Sequence, residues 1–268
     1  MIRDIAALAF LYLAAGVLSS PHSAAQAIVE PTPGQPGKDV VWVPTPPELV
    51  EKMLDLAGVT SKDFVMDLGS GDGRNVIAAA RRGARALGVE YNPDLVELSR
   101  RRAKDAGVAE RATFVQGDMY KADLSQATVL ALFLTPEHLD SMQDRFLAMK
   151  PGTRIVLNTF PVTDWEPDAT DTIGPPCRAW CTALLVIVPA RVAGMWQVGD
   201  TQMNLRQDYQ VVRGTIGAQP VTGRLRGAEI TLRAGDREYT GRVSGDRIEG
   251  TATTAGRETP WTATRESL

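Results

Sequence analysis

Asp67-Leu68-Gly69-Ser70-Gly71-Asp72-Gly73 places three glycines at alternate positions directly after the apolar run Phe64-Val65-Met66. A bare turn between a strand and a helix presents backbone N–H groups to a ligand at the helix N-terminus. The spacing departs from the dinucleotide fingerprint, because the third glycine comes one residue early and Arg74 stands where that fingerprint needs glycine. No Gly-Lys-Ser/Thr follows, so the turn is not a P-loop.

The acidic residues narrow the ligand. Asp67 lies two positions before the first glycine, where it suits a cationic amino group better than a pyrophosphate. Glu90 ends the next apolar run, 21 residues after Gly69, where a carboxylate can accept both hydroxyls of a ribose. Asp118 follows the third run, in Gln116-Gly117-Asp118, and can accept an exocyclic adenine amine. A ribose, a positive charge and no phosphates describe S-adenosyl-L-methionine. The expected cofactor-binding set is Asp67, Gly69, Ser70, Gly71, Gly73, Glu90, Tyr91, Asp118 and Met119.

Elements must bring these residues together. Apolar runs at 64–68, 86–89, 112–115, 128–134, 154–157 and 182–188 alternate with segments of helical character. That pattern predicts an α/β fold, a Rossmann-like mostly parallel sheet with helices on both faces. Thr45, Pro46 and Glu48 predict a capped helix start, and Gly58 its end. Helices are also predicted from Asn92 to Ala106 and from about Pro136 to Met149.

Near Gly194 the helical period stops. Thr222-Gly223-Arg224-Leu225-x-Gly227-x-x-Ile230 recurs as Thr240-Gly241-Arg242-Val243-x-Gly245-x-x-Ile248. This predicts a small all-β antiparallel barrel or sandwich over 194–268, following the α/β domain over 42–193. Its ten Arg against nine Asp and Glu carry no catalytic constellation, so packing or contact with an unknown partner is its expected role.

The N-terminus reads as a leader. Arg3, an apolar stretch from Ile5 to Leu18, and Ala25-Gln26-Ala27 give the three parts of a signal peptide over 1–27. Cleavage after Ala27 would leave a Pro- and Gly-rich linker over 28–41 and a periplasmic or exported protein without stable membrane insertion. An unused signal would leave the protein cytoplasmic.

Composition excludes other chemistries. Of two histidines, His22 falls in the leader and His138 stands alone, against a Ser-His-Asp triad or a His-ligated zinc site. Net charge is −3 and no basic run marks a nucleic-acid face. Cys177 and Cys181 either pair or act as two small apolar side chains.

With these residues in view, the chain resembles a class I, seven-strand S-adenosylmethionine-dependent methyltransferase. Asp67–Gly73, Glu90 and Asp118 match its motifs, over roughly residues 40 to 190. Val43-Pro44-Thr45-Pro46 and Phe160-Pro161-Val162-x-x-Trp165 are similar to the bacterial relatives of small mitochondrial protein-lysine methyltransferases. That resemblance implies a protein lysine as methyl acceptor. Thr45, Phe133, Phe160 and Trp165 are the expected substrate-binding residues, the three aromatics either lining an apolar channel or filling core. A small-molecule methyltransferase and a non-catalytic exported binding protein on the same scaffold are the alternative readings. No catalytic residue is assigned and no metal is expected.

Overall fold

The computed structural model describes residues 30–38 and 40–266. The expected signal peptide and its cleavage point lie outside them. The first unit runs α1 (Pro47–Leu56), β1 (Phe64–Leu68), α2 (Arg74–Arg81), β2 (Arg85–Glu90), α3 (Pro93–Asp105) and β3 (Ala112–Gln116). It continues with β4 (Val129–Leu132), α4 (Pro136–Ser141), α5 (Gln143–Leu147), β5 (Arg154–Asn158), β6 (Ala169–Thr172) and β7 (Thr182–Ile187).

Its sheet has the order β3-β2-β1-β4-β5-β7-β6, parallel except for β7, which runs antiparallel to both neighbours. Successive strand residues face opposite layers. Val65, Val129 and Val156 pack towards α1, α2 and α3, while Met66, Leu130 and Ile155 pack towards α4 and α5. Burial on both faces explains why the strands read as continuous apolar runs. The chain order reverses between β1 and β4, so a ligand crevice is expected at their C-terminal ends.

Three local expectations differ. α1 starts at Pro47 with Pro46 as its N-cap and, among the described residues, no capping side chain. Thr45 is drawn elsewhere: its carbonyl accepts from Arg74 at 2.6 Å and its hydroxyl from Asn158 Nδ2 at 3.1 Å. The helix expected over 136–149 is two short ones, broken at Met142. β6, sequence Ala-Thr-Asp-Thr, is an edge strand too polar to show as an apolar run.

The second unit starts at Gly194. β8 (Gly194–Val198), β9 (Thr201–Asp208), β10 (Val211–Ile216), β11 (Gln219–Arg226), β12 (Glu229–Ala234), β13 (Arg237–Ser244), β14 (Arg247–Thr254) and β15 (Arg257–Arg265) form a closed antiparallel barrel. The sequence repeat maps onto two hairpins, pairing Leu225 with Ile230 and Val243 with Ile248. Eight strands leave an interior that side chains fill. Trp196, Met203, Leu205, Leu232 and Trp261 fill this one.

The barrel docks through Tyr209, stacked on Trp165 with ring centroids 5.2 Å apart. The Tyr209 hydroxyl accepts from Gln143 Nε2 at 2.7 Å and donates to the Thr163 carbonyl at 3.0 Å. Gln210 Nε2 donates to the Glu166 carbonyl, and Arg224 pairs with Glu166 and Asp168. Trp165 is therefore core between the units, not the wall of a substrate channel. Among the described residues, no helix is long and apolar enough to cross a membrane.

Candidate active site

A cavity of about 330 Å³ opens at the C-terminal ends of β1, β2 and β4. Asp67, Gly69, Ser70, Gly71, Glu90, Tyr91, Asp118 and Met119 line one part of it; Thr45, Phe133 and Phe160 line another. Gly73 does not reach it. A Cβ there would lie 2.7 Å from the Phe114 ring and 2.9 Å from Ser99 Cβ, so this glycine lets α2 settle on the sheet. Its φ of +80° is a second reason for glycine.

Each polar group is held by a short local network. Glu90 takes the Gly71 N–H on Oε2 at 2.8 Å and the Asn92 N–H on Oε1 at 2.9 Å, which fixes the carboxylate at the end of β2. Asp118 Oδ1 accepts from the Tyr120 N–H at 3.0 Å, and Lys38 Nζ lies 3.3 Å from Oδ2. The hydrogen bond from the Tyr120 backbone, helped by Lys38, holds the Asp118 carboxyl below the usual range.

Asp67 is buried, and its one hydrogen-bond donor among the described residues is Asn75 Nδ2, at 3.1 Å. Burial pushes its carboxyl well above the usual range, and the Glu90 and Asp72 charges act the same way. A carboxylate in such a place gains most from a cation brought to it. Asp72, in the same loop, is the counter-example. Burial alone would raise it, but hydrogen bonds and charge from Arg74 and Arg102 outweigh burial and hold it low.

A segment before α1 forms a further wall. Gln35, Lys38, Trp42 and Val43 line the cavity, and a turn is closed by hydrogen bonds between Gln35 and Trp42 and between Gly34 and Trp42. A Cβ on Gly71 would meet Trp42 Nε1 at 2.6 Å, so the bare turn admits the indole. Arg74 fixes the base of the segment through the Thr45 carbonyl. These contacts span a Pro- and Gly-rich stretch that shows no period. Sequence reasoning also misses Asn75, whose signal is a polar residue opening the apolar run Val76-Ile77-Ala78.

At the other end Phe133, Phe160 and Trp180 pack together, with centroids 5.3 to 6.3 Å apart. The cavity thus joins a carboxylate-lined end to an aromatic end. Among the described residues, no cluster of His, Cys, Asp or Glu could hold a metal ion.

The ANTKMT methyltransferase domain family matches residues 67–169. A protein-lysine N-methyltransferase of Saccharolobus islandicus is 37% identical over 131 residues, 48% of this chain and 81% of that protein. The chain is a class I S-adenosylmethionine-dependent methyltransferase. The adenine nucleotide translocase lysine N-methyltransferase of Mus musculus is 40% identical over 107 residues, 39% of this methyltransferase and 47% of its own length. A crystal structure of an RNA methyltransferase from Salinibacter ruber, in complex with S-adenosyl-L-homocysteine, superposes with a TM-score of 0.53. It is 43% identical, and the match covers 56% of this methyltransferase and 96% of that chain.

S-adenosylmethionine is the cofactor, and the cavity suits it. Among the described residues Ser70 Oγ and Asn75 Oδ1 are buried without a hydrogen-bond partner, and Asp67 lies beside Asn75. The cofactor brings an electrophilic methyl group on a sulfonium, so the protein has to position, desolvate and orient rather than supply a metal or a covalent nucleophile.

Proposed function

We propose that this enzyme methylates an amine on a protein, with a lysine side chain as the acceptor. The observation that carries the reading is the aromatic end of the cavity. An apolar wall disfavours the charged form of an amine, and only the neutral form is nucleophilic. The Saccharolobus and mouse relatives, both named as lysine methyltransferases, support it.

In this reading Asp67 holds the cofactor's amino group, the Gly69–Gly71 turn lets the backbone approach it, and Glu90 accepts the ribose hydroxyls. Tyr91, Asp118 and Met119 surround the adenine. Phe133 and Phe160 flank the entering amine, and Thr45 closes the site from the α1 side. The Salinibacter relative raises RNA as a rival acceptor. The net charge of −3 disfavours it, because phosphate contacts dominate RNA affinity.

The test is methyl transfer from labelled cofactor to lysine-rich proteins and to total RNA, side by side. Label appearing as methyl-lysine supports the reading. Label confined to RNA overturns it.

We also propose that the protein is exported. The basic, apolar and small-residue order of its first 27 residues supports a leader, and the Cys177–Cys181 disulfide fits an oxidising compartment. A fusion to a reporter active only outside the cytosol would show activity; a silent reporter with a stable fusion would sink the idea.

A further inference from the structure

Trp180 belongs to no motif in the sequence, yet it completes the aromatic end of the cavity. Its ring packs on Phe160 at 5.3 Å and on Phe133 at 5.7 Å between centroids, tilted 55° to each. It lines the cavity and remains 37% exposed. Its backbone has φ +60°, a left-handed conformation that a bulky side chain adopts only when its surroundings impose it.

The surroundings are a tethered loop. Residues 173–181 join β6 to β7, and Cys177 is linked to Cys181, the residue after Trp180. Both cysteines pack against the core beneath α1. At the loop's base the Ile173 N–H donates to the Cys181 carbonyl at 2.9 Å. The next residue, Thr182, accepts the Thr159 N–H at 2.7 Å, and Thr159 is itself left-handed at φ +63°. The loop is thus joined to the end of β5, one residue before Phe160.

We propose that Trp180, held by the Cys177–Cys181 disulfide, is a positioning residue for the acceptor. The disulfide then governs acceptor recognition and leaves the cofactor end untouched. The inference rests on the amine-acceptor reading above. A dithiol opens the link: it delivers two electrons and two protons to the S–S bond, leaves two cysteine thiols and closes to its own disulfide. The freed loop lets Trp180 relax from its left-handed backbone and leave Phe133 and Phe160.

The test uses the full chain and a lysine-rich peptide with its N-terminus acetylated and its C-terminus amidated, so that lysine supplies every amine. Trp180→Ala and the double variant Cys177→Ser/Cys181→Ser are each expected to raise the peptide KM at least about fivefold, as truncating an aromatic anchor does. Wild type treated with dithiothreitol should match the double variant. Trp180→Phe should restore most of the loss. The Kd for S-adenosylhomocysteine should stay within about twofold of wild type throughout, which also reports folding. An unchanged peptide KM in Trp180→Ala, or equal losses of cofactor affinity, overturns the proposal alone. Absence of transfer by the oxidised wild type, with S-adenosylhomocysteine still bound, overturns the amine reading and this inference with it.

Discussion

Glu90 clasps Gly71: one carboxylate oxygen takes the Gly71 N–H at 2.8 Å while the other takes Asn92. The residue that would meet the ribose therefore also sets the shape of the glycine turn. Glu90→Ala is expected to weaken S-adenosylhomocysteine binding by about 1.5–3 kcal/mol, the range for a hydrogen bond to a charged group. Glu90→Gln should rescue only partly, because its NH2 group faces one of the two N–H donors. Calorimetry at fixed salt checks both, and wild-type affinity in Glu90→Ala would refute the assignment.

Asp67 sets opposing demands on stability and binding. Its pKa is raised in the folded protein, so the folded state binds the proton more tightly than the unfolded state. The resulting stabilisation is complete below the unfolded carboxyl pKa of about 3.9 and is lost as pH rises through the folded value. At neutral pH, well above the unfolded value, burial of this group weighs against the fold. Asp67→Asn should therefore raise the melting temperature of the ligand-free catalytic unit, by roughly 2–4 °C per kcal/mol recovered. The same variant should bind cofactor at least about tenfold more weakly. In wild type, affinity should climb with pH as Asp67 ionises, and the climb should vanish in Asp67→Asn.

Two glycines separate packing from backbone strain. Gly73 and Gly107 both have positive φ, but a Cβ on Gly73 strikes Phe114 and Ser99, whereas one on Gly107 meets open space. Gly107→Ala should cost about 1 kcal/mol from strain alone. Gly73→Ala should cost about 2–4 kcal/mol, because overpacking adds to the strain. Denaturant melts that gave equal losses would show that Phe114 yields freely.

Tyr209 fastens the barrel to the catalytic unit. Tyr209→Phe keeps the stack on Trp165 and removes the bonds to Gln143 and Thr163, so a loss of about 1–2 kcal/mol is expected. Tyr209→Ala should cost more and also expose Trp165, read as a red shift of its fluorescence. An unshifted spectrum would mean that other contacts carry the docking.

The carboxylates were legible because a parallel sheet delivers successive strand ends to one edge. Asp67, Glu90 and Asp118 each follow an apolar run, and chain order alone groups them. Residues placed by long-range contact were not legible. Trp42 reaches the glycine turn from a stretch without period, and Trp180 is aimed by a loop whose cross-link the spacing left open. Trp165 follows β5 just as Phe160 does, and chain position assigns both the same role. Only the barrel, arriving through Tyr209, separates them. Thr45 shows the reverse error: its capping pattern is complete, but Arg74 and Asn158 compete for its oxygens and Pro46 takes the cap.

The barrel closes through a short seam. β8 is the first barrel strand in the chain, yet it joins β15, the last, by pairing Gln197 with Thr264 and Trp196 with Arg265. A growing chain cannot make that join until β15 has left the ribosome, and a chain threaded across a membrane cannot make it until β15 has crossed. The catalytic sheet needs nothing beyond β7 to pair its strands. The two units can therefore mature in sequence, and closure of the barrel reports that the chain has been delivered through β15.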